Sequence, residues 1–300
     1  MLDKNKLRKY IGYKVAEHGK YFSGISDQKY LSIIYRILLN EKLDLKEPKS
    51  YTEKLQWLKI YDHKKIYNIM VDKYEVRKYI KDTIGEKYLI PLINVYDSAK
   101  YINWDELPNK FVLKATHTSG NVIICRNKET LDKDKTIKEL DKWLKRDYYS
   151  YFREWPYKDL RPRIVCEEFL AEIGDVPIDY KIMCFSGEPE IIQVHRGRFK
   201  NHTIEYYDKK WNKIDIYSEG YEKCDYISEK PKELDKLLDI ARKLSANLPQ
   251  SRIDLYLVNG KVYFSEITFF DGAGFDKFYP EEFNTYLGNL INIEGIKNAK

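Results

Sequence analysis

The stretch Ser251–Gly274, SRIDLYLVNGKVYFSEITFFDGAG, limits what this chain can fold into more than any other. It reads as two apolar-rich strands joined at Asn259-Gly260, a pair that favours tight turns because both residues tolerate left-handed backbone. Arg252 and Asp254 lie on the first strand, Glu266 and Thr268 on the second, and a glycine-rich loop follows. Carboxylates on an apolar hairpin need partners, because burying an unpaired charge is costly. Magnesium would be one such partner, since it takes one or two carboxylates and completes its octahedron with phosphate and water oxygens. An arginine two residues before the aspartate shares its strand face and would suit those phosphates. Surface acids with a salt-bridged arginine would explain the same residues, and the hairpin alone leaves both readings open.

Turn length decides whether the two acids share a face, because side chains alternate along a strand. A two-residue turn pairs Val258 with Lys261, sets Asp254 opposite Ser265 and sends Glu266 to the other face. A three-residue turn pairs Leu257 with Lys261 and gathers Arg252, Asp254, Glu266 and Thr268. The apolar set Ile253, Leu255, Leu257, Val262 and Phe264 fits the first turn. Joint metal chemistry needs the second, which is the expectation here, with Gly260 at positive φ as a bulge.

The chain has 300 residues, enough for one large domain or two to three lobes with a core. Its net charge of +6 comes from lysines spread along the chain among nearly as many acids, and its 27 tyrosines are dispersed. That distribution argues against a nucleic-acid surface. The cysteines Cys125, Cys166, Cys184 and Cys224 form no Cys-x-x-Cys pair and read as free thiols of a reducing compartment. The first residues lack the apolar stretch of a signal peptide, and no run of about 18 apolar residues occurs. A cytoplasmic protein without a membrane span is expected.

Residues 1–50 carry helical periodicity at Tyr30, Ile33, Ile34, Ile37 and Leu38, with packing or partner contact as their role. Ser50 and Glu53 form a possible capping box. Lys73 and Arg77 share one side of a short helix, either as a solvated face or facing phosphate. Tyr88–Tyr96 reads as an edge strand around Pro91. Phe111–Ala115 is an apolar strand carrying Lys114, and a strand lysine needs a partner. Thr116–Asn121, THTSGN, then offers backbone N–H groups and hydroxyls suited to an anion, although it is also rich in turn formers. It lacks Walker A spacing. A helix over 129–147, an aromatic crossing at Tyr148–Tyr157 that is either a lid or a packed loop, and strands at Arg163–Leu170, Ile178–Ser186 and Glu190–Arg198 follow, the last with His195 read as a structural hydrogen-bonder. His202–Tyr207 and Trp211–Tyr217 read as a further hairpin, and Pro231–Leu248 as a helix before the opening hairpin. Pro280–Ile293 is a short amphipathic helix.

A strand lysine, a glycine-bearing loop, a Glu-Glu strand end, an Asp-x-Lys strand and an Arg-x-Asp…Glu hairpin occur in that order. The order resembles the ATP-grasp fold. EKLQWLKIYD, VDKYEVRKYI, LPNKFVLKATHTSGN, EEFL, DYKIMCFSGEP and VYFSEITFFDGAGFDKFYPEEF are similar to the teichuronopeptide-biosynthesis, or TupA-like, ATP-grasp family from about residue 50 to about 292. The resemblance implies an α+β fold, with two lobes whose antiparallel sheets enclose ATP, preceded by a helical segment. Its expected divisions are 1–96 (helical), 97–170 (small lobe with phosphate loop and hinge) and 171–300 (large lobe with the metal site).

The resemblance also implies roles. Lys114 would meet the phosphates, under a loop of Ser119, Gly120 and Asn121, and the phosphate-facing reading of Lys73 makes it a further nucleotide-binding candidate. Glu167, Glu168, Phe169 and Leu170 would form the hinge beside adenine, mostly through backbone groups. Asp179 would take the ribose and Lys181 a phosphate. Arg196 or Arg198 would meet the γ-phosphate or the activated substrate, and Arg252 would steady the transferring group. Asp254, Glu266 and Thr268 would hold Mg²⁺, Thr268 standing where many relatives carry asparagine. The implied activity is ATP-dependent carboxylate–amine ligation, joining an amino acid to a uronic-acid glycan of the cell surface, with peripheral contact to polysaccharide-assembly machinery. The rivals are a glycosyltransferase, whose Asp-x-Asp would be Asp132-Lys133-Asp134 in a lysine-rich helix entry, and a nucleotide-binding protein without ligase chemistry.

Overall fold

The structure, a computed structural model, describes residues 4–170, 177–197 and 202–297. Two short helices, α1 (Lys4–Glu17) and α2 (Asp27–Leu39), open the chain. The Ser26 hydroxyl caps α2 by accepting from the Lys29 N–H, and Tyr30, Leu31, Ile34, Tyr35 and Leu38 line its buried side. In α3 (Tyr51–Tyr61) the capping box forms: Ser50 Oγ accepts from Glu53 N at 3.3 Å, and Glu53 Oε2 accepts from Ser50 N at 2.9 Å. Helices α4 (Lys65–Val71) and α5 (Val76–Thr83) lead into the first sheet.

That sheet holds β1 (Leu92–Tyr96), β2 (Phe111–Ala115), β3 (Val122–Cys125) and β4 (Ile164–Glu168) in the antiparallel order β1-β4-β2-β3. Strand β1, at the end of the segment read above as helical, is hydrogen-bonded into this sheet as its edge. Alternation along β2 explains its two faces. Phe111, Leu113 and Ala115 pack with Leu140 and Trp143 of α6 (Lys133–Leu144), which leaves Val112 and Lys114 on the opposite face. The Tyr148–Tyr157 crossing contains the short helix α7 (Tyr149–Phe152).

The second sheet is antiparallel in the order β10-β9-β5-β6-β7. Its members are β5 (Ile178–Phe185), β6 (Glu188–Arg196), β7 (Thr203–Asp208), β9 (Gln250–Val258) and β10 (Lys261–Thr268). Tyr180, Ile182, Ile192, Val194, Ile253 and Leu255 share a core with the apolar face of α8 (Leu234–Ser245). The other face of the same strands is polar and looks onto the first sheet.

The segment after β7 departs from the expected hairpin. Asp208 turns the chain by accepting from the N–H groups of Lys210 and Asn212, but the return contributes only the bridge Tyr207–Lys213. Tyr217 and Ser218 form β8, which pairs with β11 (Phe278–Tyr279) instead. Helices α9 (Glu282–Leu290) and α10 (Glu294–Lys297) close the described chain. The whole is an α+β fold of two antiparallel-sheet lobes behind a helical N-terminal region, with the polar faces turned toward one cleft.

The hairpin turn corrects the expectation made for it. Asn259 and Gly260, at φ 49° and 72°, form a two-residue turn, and Val258 pairs with Lys261. The register then slips by one residue between Phe264 and Glu266, so Asp254 pairs with Glu266 and Arg252 with Thr268. A β-bulge at Ser265 therefore does what the longer turn was expected to do. It lets the apolar pattern keep its turn while the acids still meet.

Candidate functional site

Between the sheets lies a cleft of about 720 Å³, of a size that suits a nucleotide-like ligand. Ile90, Val112, Val122 and Ile124 give it apolar walls, and Phe169 and Leu170, just past β4, line it as well. Lys114, Glu167, Asp179, His195 and Tyr256 supply its polar groups. Next to it is a smaller pocket lined by Lys73, Lys114, Ser119, Gly120, Asn121, Tyr256, Ser265 and Glu266. Lys114, Val122 and Tyr256 line both, so the two spaces are continuous.

Lys114 is held rather than free. Its Nζ donates to Glu167 Oε2 at 2.7 Å, and Arg77 Nη1 reaches the other oxygen of Glu167 at 3.3 Å. Burial lowers the Lys114 pKa, but the Glu167 carboxylate, with Tyr256 and Glu266, outweighs it and holds the ammonium above its ordinary value. Glu167 thus works through its buried carboxylate, not through backbone alone. Lys73 donates to the Thr118 carbonyl at 2.5 Å, which ties α5's approach to the glycine loop, and burial lowers its pKa. Lys73 lines the pocket and Arg77 pairs with Glu167, so neither forms a solvated face.

Behind this pocket sits a buried charge network. Lys181 Nζ lies 3.0 Å from Asp179 Oδ2 and also donates to Asp254 Oδ2. Arg252 donates to both oxygens of Asp254, at 2.7 and 2.8 Å, to Asp271, and to the Thr268 hydroxyl at 3.2 Å. Burial disfavours the Arg252 and Lys181 charges, and the surrounding carboxylates more than restore them, raising both pKa values. Glu266 stands at the edge, 3.6 Å from Arg252 Nη2 and partly exposed.

The structure brings together Lys73, Lys114, Ser119, Gly120, Asn121, Glu167, Phe169, Leu170, Asp179, Lys181, Arg252, Asp254, Glu266 and Thr268. Glu168, the last residue of β4, is exposed beside them. Arg196 is not brought in. It pairs with Thr203 in the ladder, so it points to the face opposite His195, where it lies 3.4 Å from Glu205 and donates to the Ser228 hydroxyl. Its expected phosphate role is corrected on that ground. Arg198 lies outside the described residues. Asp132, of the rival Asp-x-Asp, caps α6 by accepting from Lys135 N at 2.9 Å.

Sequence reasoning does not single out Asp271 or Tyr256, and it reads His195 as a structural hydrogen-bonder and the Tyr148–Tyr157 crossing as a lid or a packed loop. Asp271 partners Arg252 from a loop in which Gly272 and Gly274 have positive φ. A side chain at Gly274 would meet Gln56 and Leu55 of α3 at 2.7 and 2.9 Å, so only glycine seats the loop there. An acid inside so glycine-rich a segment was the available signal.

Two lobes closing on a cleft with a strand lysine, a glycine loop and an Arg-x-Asp…Glu hairpin define an ATP-grasp protein, the architecture of ATP-grasp-type ligases. A family model, the TupA-like ATPgrasp model, matches residues 53–292. The chain belongs to the TupA-like ATP-grasp family. No curated protein is a significant match. Among solved structures it is similar to D-alanine–D-alanine ligase from Bacillus anthracis complexed with ATP, at 18% identity and TM-score 0.44, over 77% of this chain and 66% of that one. It is also similar to D-alanyl-alanine synthetase A from Vibrio cholerae, at 11% identity and TM-score 0.41, over 82% and 66%. A RimK domain ATP-grasp protein from Sphaerobacter thermophilus matches at 8% identity and TM-score 0.41, over 75% and 67%. The chain spans just under two thirds of the length of the first two. No helix among the described residues is long and apolar enough to cross a membrane.

Proposed function

We propose that this protein is a Mg-ATP-dependent carboxylate–amine ligase acting through an acyl-phosphate. The observation that carries this reading is the continuity of the apolar cleft with a pocket where Lys73, Lys114, Ser119 and Glu266 converge, and beyond it Arg252. Adenine would lie against Val112, Ile124 and Phe169, and the phosphates would run toward Lys114 and Lys73 under the glycine loop. Arg252 would neutralise charge developing on the transferred phosphoryl group.

The donor set suits magnesium, being all oxygen and fronted by an accessible carboxylate. Glu266 is the residue that would hold the ion. Both oxygens of Asp254 already accept from Arg252, and Oδ2 also from Lys181, so Asp254 would join Glu266 only through a lone pair that these donors leave free. Bound there, the ion would supply charge neutralisation between the phosphates. The substrates follow the family resemblance: a uronic acid of a cell-surface polysaccharide as carboxylate and an amino acid as amine, in the cytoplasm.

Thermal melts with Mg-ATP, Mg-ADP and UDP-sugars test the nucleotide half. A ligand binding only the folded state adds roughly 2.7 kcal/mol at about a hundredfold excess over Kd. A shift with UDP-sugar and none with Mg-ATP would refute the reading in favour of a glycosyltransferase. ADP release with uronic-acid glycans and amino acids tests the ligase half. Mg-ATP binding with no turnover on any pair would leave a nucleotide-binding protein.

A further inference from the structure

Past Arg252 and Thr268, away from the base, a third pocket of about 680 Å³ opens. Ser119 lines both it and the phosphate pocket, so the two communicate at the point where an activated carboxylate would form. Its walls come from the N-terminal helix (Tyr13), the aromatic crossing (Tyr148, Phe152, Tyr157) and the loop of Asp271, Gly272 and Ala273. Sequence reading left both the helix and the crossing without a chemical role.

Its charges are lopsided. Glu154, Asp271 and Asp276 line it, against Arg252 alone, and Arg252 is already paired with Asp254 and Asp271. Glu154 is the telling residue. It is only 5% exposed, and among the described residues no hydrogen bond or ion pair reaches its carboxylate. The Lys59 ammonium acts on it through space while donating to Gln56 Oε1 and the Ala273 carbonyl. A largely buried carboxylate with no protein donor is costly unless water or a ligand in the pocket it lines supplies one. Aromatic rings around acids make a site for an organic cation and a poor one for an anion.

We propose that this third pocket binds the amine co-substrate by its ammonium group, with Glu154 as counter-charge and proton acceptor. This rests on the ligase reading. Glu154 takes one proton from the ammonium. The freed lone pair forms the C–N bond at the acyl carbon, the C–O bond to phosphate breaks, and the second amine proton leaves with the phosphate. Burial pushes the Glu154 carboxyl up to about 7, which suits a group that accepts a proton near neutrality.

The test is calorimetric titration of the full chain, saturated with Mg-ADP, with glycinamide, glucosamine, L-alanine and L-glutamate, and with acetate and glucuronate as anions. At least one amine is expected to bind the wild type and to bind Glu154→Gln roughly tenfold or more weakly, while Mg-ATP binds both alike. Tighter glycinamide or glucosamine points to a bare amine, and tighter alanine or glutamate to an amino acid. Equal amine binding by Glu154→Gln, binding of anions only, or no amine binding with Mg-ATP binding intact would each overturn the proposal. Loss of Mg-ATP binding in the wild type would instead refute the ligase reading beneath it. If Glu154→Gln does not fold, Asp276→Asn carries the same test, with weakened amine binding expected and unchanged binding overturning the proposal.

Discussion

Arg252→Met would test the buried charge network most directly. Methionine keeps an unbranched side chain in place and removes every donor. Arg252 makes two charge-assisted bonds to Asp254, one to Asp271 and one to Thr268. Asp254 is fully buried, so the variant leaves its charge to Lys181 alone. Removing one partner of a buried ion pair costs about 3–5 kcal/mol, because the other charge stays desolvated. Lys181 remains on Asp254, and Asp271 keeps the Gln193 amide at 3.4 Å, which argues for the lower end, about 3 kcal/mol. That is a large share of a stability of about 5–15 kcal/mol. Urea unfolding followed by tryptophan fluorescence reads it as a lowered midpoint at unchanged slope. Adding Asp254→Asn should return part of the loss, since the stranded charge is then gone. A loss below about 1 kcal/mol at unchanged slope, the range of exposed pairs, would refute the network as described.

Lys114→Ala should lower the turnover number on the order of 10²–10³-fold, with the fold kept, as measured by ADP release at saturating substrate; near wild-type turnover would remove Lys114 from the phosphate path. Arg196→Ala should leave the Mg-ATP melting shift unchanged and cost about 1 kcal/mol of stability, since it loses its contacts with Glu205, Ser228 and the Tyr226 ring on the far face; a lost nucleotide shift would restore its phosphate role. Asp276→Asn should stabilise the protein above pH 7. Burial, Asp271 and Glu219 push the Asp276 carboxyl up to about 7, so the folded state holds a proton that the unfolded state releases near pH 4, and native stability falls as pH rises between those values. The variant lacks that loss, and its advantage should fade as pH falls toward 4; an advantage independent of pH would mean Asp276 titrates normally.

Much of the architecture was legible from pattern. The capping box at Ser50, the alternation along Phe111–Ala115 and the apolar face of Leu234–Ser245 each follow from local chemistry with one period. The order of motifs pointed to the two lobes, and the Asn-Gly pair marked the hairpin turn. Local patterns say which face of an element is apolar, and a buried face is hard to disguise.

What only the tertiary structure decided was register and convergence. The bulge at Ser265 has no signature in composition, because it reflects how β10 settles against β9 and not what either strand prefers alone. Arg196 and His195 are neighbours in sequence, yet a strand sends them to opposite faces, and only the ladder with β7 says which one meets the cleft. Glu154, Asp271 and Tyr13 come from segments far apart in the chain. They share a pocket because the N-terminal helices, the aromatic crossing and the loop that follows β10 pack together around Phe152 and Phe275. Such a meeting is a property of three-dimensional packing, in which non-local contacts set the geometry, and local periodicity carries no record of it.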